Sequence, residues 1–166
     1  MQIICIDSDY DEASRTVAEW RREKNYPFLE TNGFSLQILA GNTACRKYFE
    51  EALLKNSDGY ISGSGHGRFN EFIGNDSRPL LKVNDYKDKE VIGKIIHLLS
   101  CNTAFELGGN VVKKGCKAFF GYDLPFSFHK DYLDEFMSPD YILDSYIVEG
   151  KPVHIVHSRV KEEYEQ

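Results

Sequence analysis

The chain has 166 residues, 42% of them hydrophobic and 28% charged, which suits a single domain over residues 1–166 with a substantial core. Its net charge of −6 argues against direct nucleic-acid binding, which needs a basic footprint, but leaves a polypeptide substrate open. No apolar run approaches the length of a membrane span.

Met1-Gln2-Ile3-Ile4-Cys5-Ile6-Asp7 reads as a first strand over residues 2–6 rather than a signal peptide, because it lacks a basic flank and runs at once into Asp7-Ser8-Asp9. Residues 10–24 have helical spacing, with Ala13, Val17 and Trp20 as the apolar face. Asn32-Gly33 is a turn, and residues 34–39 alternate as a second strand. Asn42 or Thr43 is positioned to cap a helix over 44–55 with Ala44, Tyr48, Ala52 and Leu53 inward, ended by Ser57-Asp58-Gly59. A strand over 59–64 then delivers His66.

Residues 68–74 form one arm of a short hairpin turned at Asn75-Asp76, with 79–83 as its partner. A polar connection over 85–93 leads to a strand over 95–100, which delivers Cys101. A helix over roughly 104–114, a strand over 117–122 and two closing helices over 129–148 and 152–164 complete the chain. Strands alternating with helices predict an α/β fold with a mostly parallel sheet covered on both faces. Reactive groups in such sheets gather at the carboxyl ends of the strands.

Ile61-Ser62-Gly63-Ser64-Gly65-His66-Gly67 and Ile95-Ile96-His97-Leu98-Leu99-Ser100-Cys101 both end there. His66 and Cys101 are 35 residues apart, room for a hairpin and a connection between neighbouring parallel strands. A thiol beside an imidazole and a helix amino terminus is an activated nucleophile. Gly65 and Gly67 allow close backbone approach, and the Gly67 and Cys101 amides are candidate oxyanion donors, worth roughly 2.7–4 kcal/mol each in other enzymes.

Bland readings compete with this one. A cysteine closing a strand is most often an inert core thiol, and Cys5, Cys45 and Cys116 are read that way. No CxxC pair is present, so free thiols in a reducing cytoplasm are expected, with no metal and no cofactor. His97 lies within its strand and reads as structural. His154 and His157 are spaced as a metal pair, but no third ligand is evident. Ser64 and Ser100 are alternative nucleophiles outside any GxSxG elbow. The Gly63–Gly67 run is a weak match to a nucleotide loop, without the Lys-Ser/Thr ending of a P-loop.

The order of His-Gly and then an apolar strand ending in Ser-Cys resembles the caspase-like cysteine peptidases, and most closely the CHAT group related to caspases and separase. Tyr60–Gly67 resembles the family's H-x-x-GHG strand, Leu98–Thr103 its LSACxT segment, and Gly115–Gly121 the strand that follows. Asn42–Arg46 and Pro79–Val83 resemble the helix before the histidine strand and the short strand before the nucleophile. The likeness covers about residues 35–160.

It implies a caspase-hemoglobinase-like three-layer sandwich and endopeptidase activity on a protein substrate. Cys101 would be the nucleophile, His66 the acid/base and Gly67 an oxyanion donor. The sequence departs from the family at Ser100, where alanine is usual, and at the absent first strand-borne histidine. It also has Leu99 where metacaspases carry an acid that shapes a basic-residue pocket. Asp123, Asp76 and Glu71 are therefore the candidate pocket walls. The chain carries no repeat array, so a separate sensor or regulatory protein is an expected partner. A catalytically inactive binding module on the same fold is the alternative.

Overall fold

In the computed structural model, which describes residues 2–56 and 59–165, the apolar runs become parallel strands. β1 (Gln2–Asp7), β2 (Ser35–Ala40), β3 (Tyr60–Ser64), β7 (Ile95–Leu99) and β8 (Ala118–Phe120) form one sheet in the order β2-β1-β3-β7-β8. Every neighbouring pair in it is parallel. Between β3 and β7 the chain builds a separate antiparallel meander of β4 (His66–Arg68), β5 (Glu71–Ile73) and β6 (Pro79–Lys82).

Alternation along each strand sorts the side chains into two cores. Ile4, Ile6, Ile61, Ile96 and Leu98 pack on one face, against α3 (Arg46–Lys55), α4 (Gly109–Lys113) and the meander. Ile3, Cys5, Tyr60, Ala118 and Phe120 pack on the other, against α2 (Tyr26–Thr31), α5 (Leu133–Val148) and α6 (Val153–Tyr164). α1 (Glu12–Trp20) extends this second layer, with Val17 and Trp20 against Leu99 and Met137. The architecture is thus α/β with helices on both faces of a parallel sheet. No helix among the described residues is long and apolar enough to cross a membrane.

Several local expectations need correction. The first helix does not stop near residue 24: a π turn over Arg21–Asn25 carries α1 directly into α2. That turn directs both Arg21 and Asn25 inward, fully buried. In α3 it is Phe49 that is buried, while Tyr48 is 39% exposed. Neither Asn42 nor Thr43 caps α3. Thr43 instead bonds back to the Ala40 amide and carbonyl across a 3-10 turn, and Cys45 takes the cap position. Cys45 is consequently half-buried at the surface rather than in the core. Of the stop after α3, Ser57 and Asp58 lie outside the described residues. The predicted arm over 68–74 is broken by a turn at Phe69-Asn70, so His66 itself opens an antiparallel strand.

Behind the sheet lies a buried polar cluster. Asp144 of α5 accepts from Asn25 Nδ2 (2.6 Å) and the Ser62 hydroxyl (2.9 Å), pairs with His97 Nδ1 (2.8 Å), and is bonded by the Tyr60 hydroxyl. Arg21 donates to Ser62 and sits 3.7 Å from Asp144 and 3.9 Å from Asp140. His97 is therefore a structural residue of this cluster.

Candidate functional site

The strand order reverses between β1 and β3, since the chain leaves β1 for β2 on one side and returns to β3 on the other. Connections splay apart at such a point and open a crevice at the carboxyl ends. The loops after β1, β3 and β7 meet there. Ser64 stands beside Leu99 in register, and the Gly65 amide donates to the Leu99 carbonyl (3.2 Å). His66 and Cys101 line one cleft together with Gly65, Ala13, Ser14, Val17, Leu99, Ser100, Phe126 and Phe128.

Asp11 is the residue that the sequence reading missed. Its carboxylate lies 2.6 Å from His66 Nε2. The same side chain caps α1, accepting from the Ser14 amide (2.8 Å) and hydroxyl (2.7 Å). Desolvation would raise its pKa, but the Ser14 bonds and the His66 ring together pull it down to about 2. A carboxylate on Nε2 fixes the ring and its tautomer, and among the described residues no partner takes Nδ1. Tyr10 packs on the imidazole with ring centres 5.4 Å apart.

The loop that carries Asp11 is itself clamped. Asn75, in the turn between β5 and β6, accepts from the Asp9 amide and the Ser8 hydroxyl and donates to the Asp9 carboxylate. The visible signal was the acidic run Asp7-Ser8-Asp9-Tyr10-Asp11 at the end of the first strand. Only the parallel pairing of β1 with β3, which sets their end loops side by side, tells which of its carboxylates meets a histidine.

Cys101 sits in the turn after β7, followed by Asn102 at φ 60, a left-handed conformation that asparagine tolerates better than most residues. The expected helix amino terminus does not serve the thiol. Residues Ala104–Gly108 form a π turn whose first amides are already committed. Ala104 N–H goes to the Tyr122 carbonyl, Phe105 N–H to Asn102, and those of Glu106 and Leu107 to Phe69. The Phe126 amide replaces them, donating to Cys101 Sγ at 3.2 Å. Among the described residues the Cys101 amide has no acceptor, which leaves it available to a developing oxyanion.

The glycines serve close packing. A Cβ on Gly67 would lie 2.5 Å from the Cys101 carbonyl oxygen and 2.6 Å from Thr103 Cγ2, so β4 touches the Cys101 turn directly. A Cβ on Gly65 would lie 2.8 Å from Ser8 Cβ. The Gly63–Gly67 run leads into strand β4 and not into a helix, which removes the dipole that a phosphate loop uses.

The remaining candidates fall elsewhere. Asp123 is exposed and lines a different cleft, beside α6, with His157, Lys161 and Tyr164. Glu71 is buried and neutralised by Arg68 and Lys82. Asp76 pairs with Arg78. None of these three acids lines the His66–Cys101 cleft. The Ser64 and Ser100 hydroxyls are buried, the latter against Thr103. Burial pushes the Cys5 thiol far up and Cys116 to about 11, as expected of inert core thiols. Among the described residues, no group of three or more His, Cys, Asp or Glu is placed to hold a metal.

No protein-family model matches this chain, and no curated protein matches its sequence.

Proposed function

We propose that the chain is a caspase-like cysteine endopeptidase in which Asp11, His66 and Cys101 act in series. The reading is supported above all by one observation: adjacent parallel strands bring a cysteine and a carboxylate-anchored histidine to the same cleft, at the point where the strand order reverses. The parallel sheet with helices on both faces suits a caspase-hemoglobinase-like sandwich.

In the proposed reaction, the Cys101 sulfur attacks the peptide carbonyl carbon while its proton passes to His66 Nδ1. The carbonyl oxygen takes the negative charge and is met by the Cys101 amide, with Gly67 the second candidate donor. The C–N bond then breaks, and the His66 proton goes to the leaving amine. Water adds to the thioester, giving a proton to His66. The C–S bond breaks and the thiol is restored. Asp11 is a positioning residue that holds the imidazole.

An inactive module has one observation in its favour. The thiol is bonded to the backbone of Phe126, 3.2 Å from its amide and 3.7 Å from its carbonyl oxygen, rather than to His66. Substrate must displace the carbonyl contact. A cytoplasmic setting and a separate regulatory partner fit the peptidase reading and belong to the same proposal.

The deciding measurement is the alkylation rate of Cys101 against pH, followed by mass spectrometry, in the wild type and His66→Ala. Fast reaction near neutral pH that collapses in the variant is expected. A rate equal to that of the buried Cys5 and Cys116 in both proteins would favour the inactive module.

A further inference from the structure

Resting on that reading, we infer that the residue on the acyl side of the cleaved bond is small and apolar. The residue whose carbonyl meets Cys101 must place its side chain beside the sulfur, in the cleft that Cys101 and His66 share. Apart from these two and the buried Ser14 and Ser100, the walls are Ala13, Val17, Gly65, Leu99, Phe126 and Phe128.

No wall residue is an aspartate, glutamate, lysine or arginine. The two carboxylates that precede Ala13 are already engaged, Asp11 with Ser14 and His66, and Glu12 with Lys130. The acids that the sequence offered as a charged wall lie outside it, as described above. A lysine, arginine or acidic side chain entering here would lose water without gaining an opposite charge. Leu99 and Val17 are 4% and 6% exposed, and both belong to the apolar cluster that continues to Trp20 and Met137. The floor is therefore packed core, fixed in shape, rather than a mobile surface.

Size follows from the same walls. The cleft encloses about 70 Å³, against about 530 Å³ for the cleft beside α6. Two aromatic rings line it, Phe126 and Phe128, whose centres lie 6.3 Å apart. Alanine and valine fit such a space; an aromatic ring would have to displace one of those already there.

The test uses peptidyl acyloxymethyl ketones that are identical except for the residue next to the reactive group: alanine, valine, phenylalanine, aspartate or lysine. Covalent mass gain at Cys101 is followed in time. Alanine and valine probes are expected to label at least about tenfold faster than the other three. Ala13 is exposed at the rim, so its variants should fold. Ala13→Leu should slow the valine probe more than the alanine probe, and Ala13→Glu should raise labelling by the lysine probe.

Fastest labelling by the aspartate, lysine or phenylalanine probe overturns the inference and leaves the nucleophile assignment standing. So does failure of the whole panel while iodoacetamide still reacts rapidly and in a His66-dependent way. If iodoacetamide is also slow, the peptidase reading itself falls.

Discussion

Asp11 does two jobs with one carboxylate, and they can be separated. Oδ1 caps α1 through Ser14 while Oδ2 holds His66. Asparagine is as good a cap as aspartate, so Asp11→Asn should leave thermal stability nearly unchanged. It removes the negative charge beside the imidazole, and hydrolysis or Cys101 alkylation should slow by roughly tenfold to a hundredfold. Asp11→Ala should show the same kinetic loss and, in addition, about 1 kcal/mol of destabilisation from the lost cap. Urea unfolding alongside alkylation kinetics separates the two roles. Equal rates in wild type and Asp11→Asn would reduce Asp11 to a helix cap. The thiols show the same dependence on setting: burial disables Cys5 and Cys116, whereas Cys101 is only half-buried and faces the cleft.

Among the elements, α5 carries the heaviest electrostatic load. Asp140 and Asp144 stand one turn apart on its inward face, both fully buried beside Arg21 and His97. Burial alone would raise Asp144, but the His97 and Tyr60 bonds and the His97 and Arg21 charges outweigh it and hold it low. For Asp140 burial wins and raises it, since among the described residues neither of its oxygens has a hydrogen-bond partner. The signs of linkage are therefore opposite. Asp144 contributes stability that is complete above the usual carboxylate value of about 3.9 and is lost as pH falls toward its depressed value. Asp140 costs stability as pH rises from that value through its own raised one. Asp144→Asn should therefore destabilise by about 3–5 kcal/mol at neutral pH, because it strips the partner from a buried cation. It should also flatten the loss of melting temperature between pH 4 and pH 2 (roughly the range between ordinary and depressed carboxylates). Asp140→Asn should cost less than Asp144→Asn. Melting curves of the three proteins from neutral pH down to about pH 2 check the order, and a larger loss from Asp140→Asn at neutral pH would contradict it.

At the scale of the whole molecule, the β4–β6 meander docks on the parallel sheet through Phe72, Leu80 and Leu81 and meets the turn that holds Cys101 at Gly67. The β4–β6 meander hangs from the end of β3, and its first strand rests on the turn that holds Cys101. Gly67→Ala would drive a methyl group into the Cys101 carbonyl, a backbone atom that cannot swing aside. We expect a loss of about 1–3 kcal/mol from the overpacking. The alkylation of Cys101 should fall with it, because the turn that aims the sulfur must shift. Unchanged stability and unchanged alkylation in this variant would mean that the docking is looser than the close packing requires.

Much of this was legible before the fold was known. The alternating and periodic apolar runs place nearly every strand and helix, because burial of one face obeys a local period. The paired endings at His66 and Cys101 mark the two residues that share the cleft, since glycine and thiol at strand ends are local features of the chain. What could not be read were contacts across elements. Asp11 is 55 positions from His66. Phe126 reaches back 25 positions to the sulfur. Asp144 lies 47 positions from His97. Asp123 looked like a pocket wall because it follows a strand, yet its own loop turns it toward α6. Periodicity and composition, which act over a few residues, were enough to place the layers and to bring His66 and Cys101 to neighbouring strand ends. Which carboxylate anchors the histidine, which amide holds the sulfur and which side chains line the cleft were decided only by the tertiary structure. These depend on strand order and packing, which bring distant residues within bonding distance.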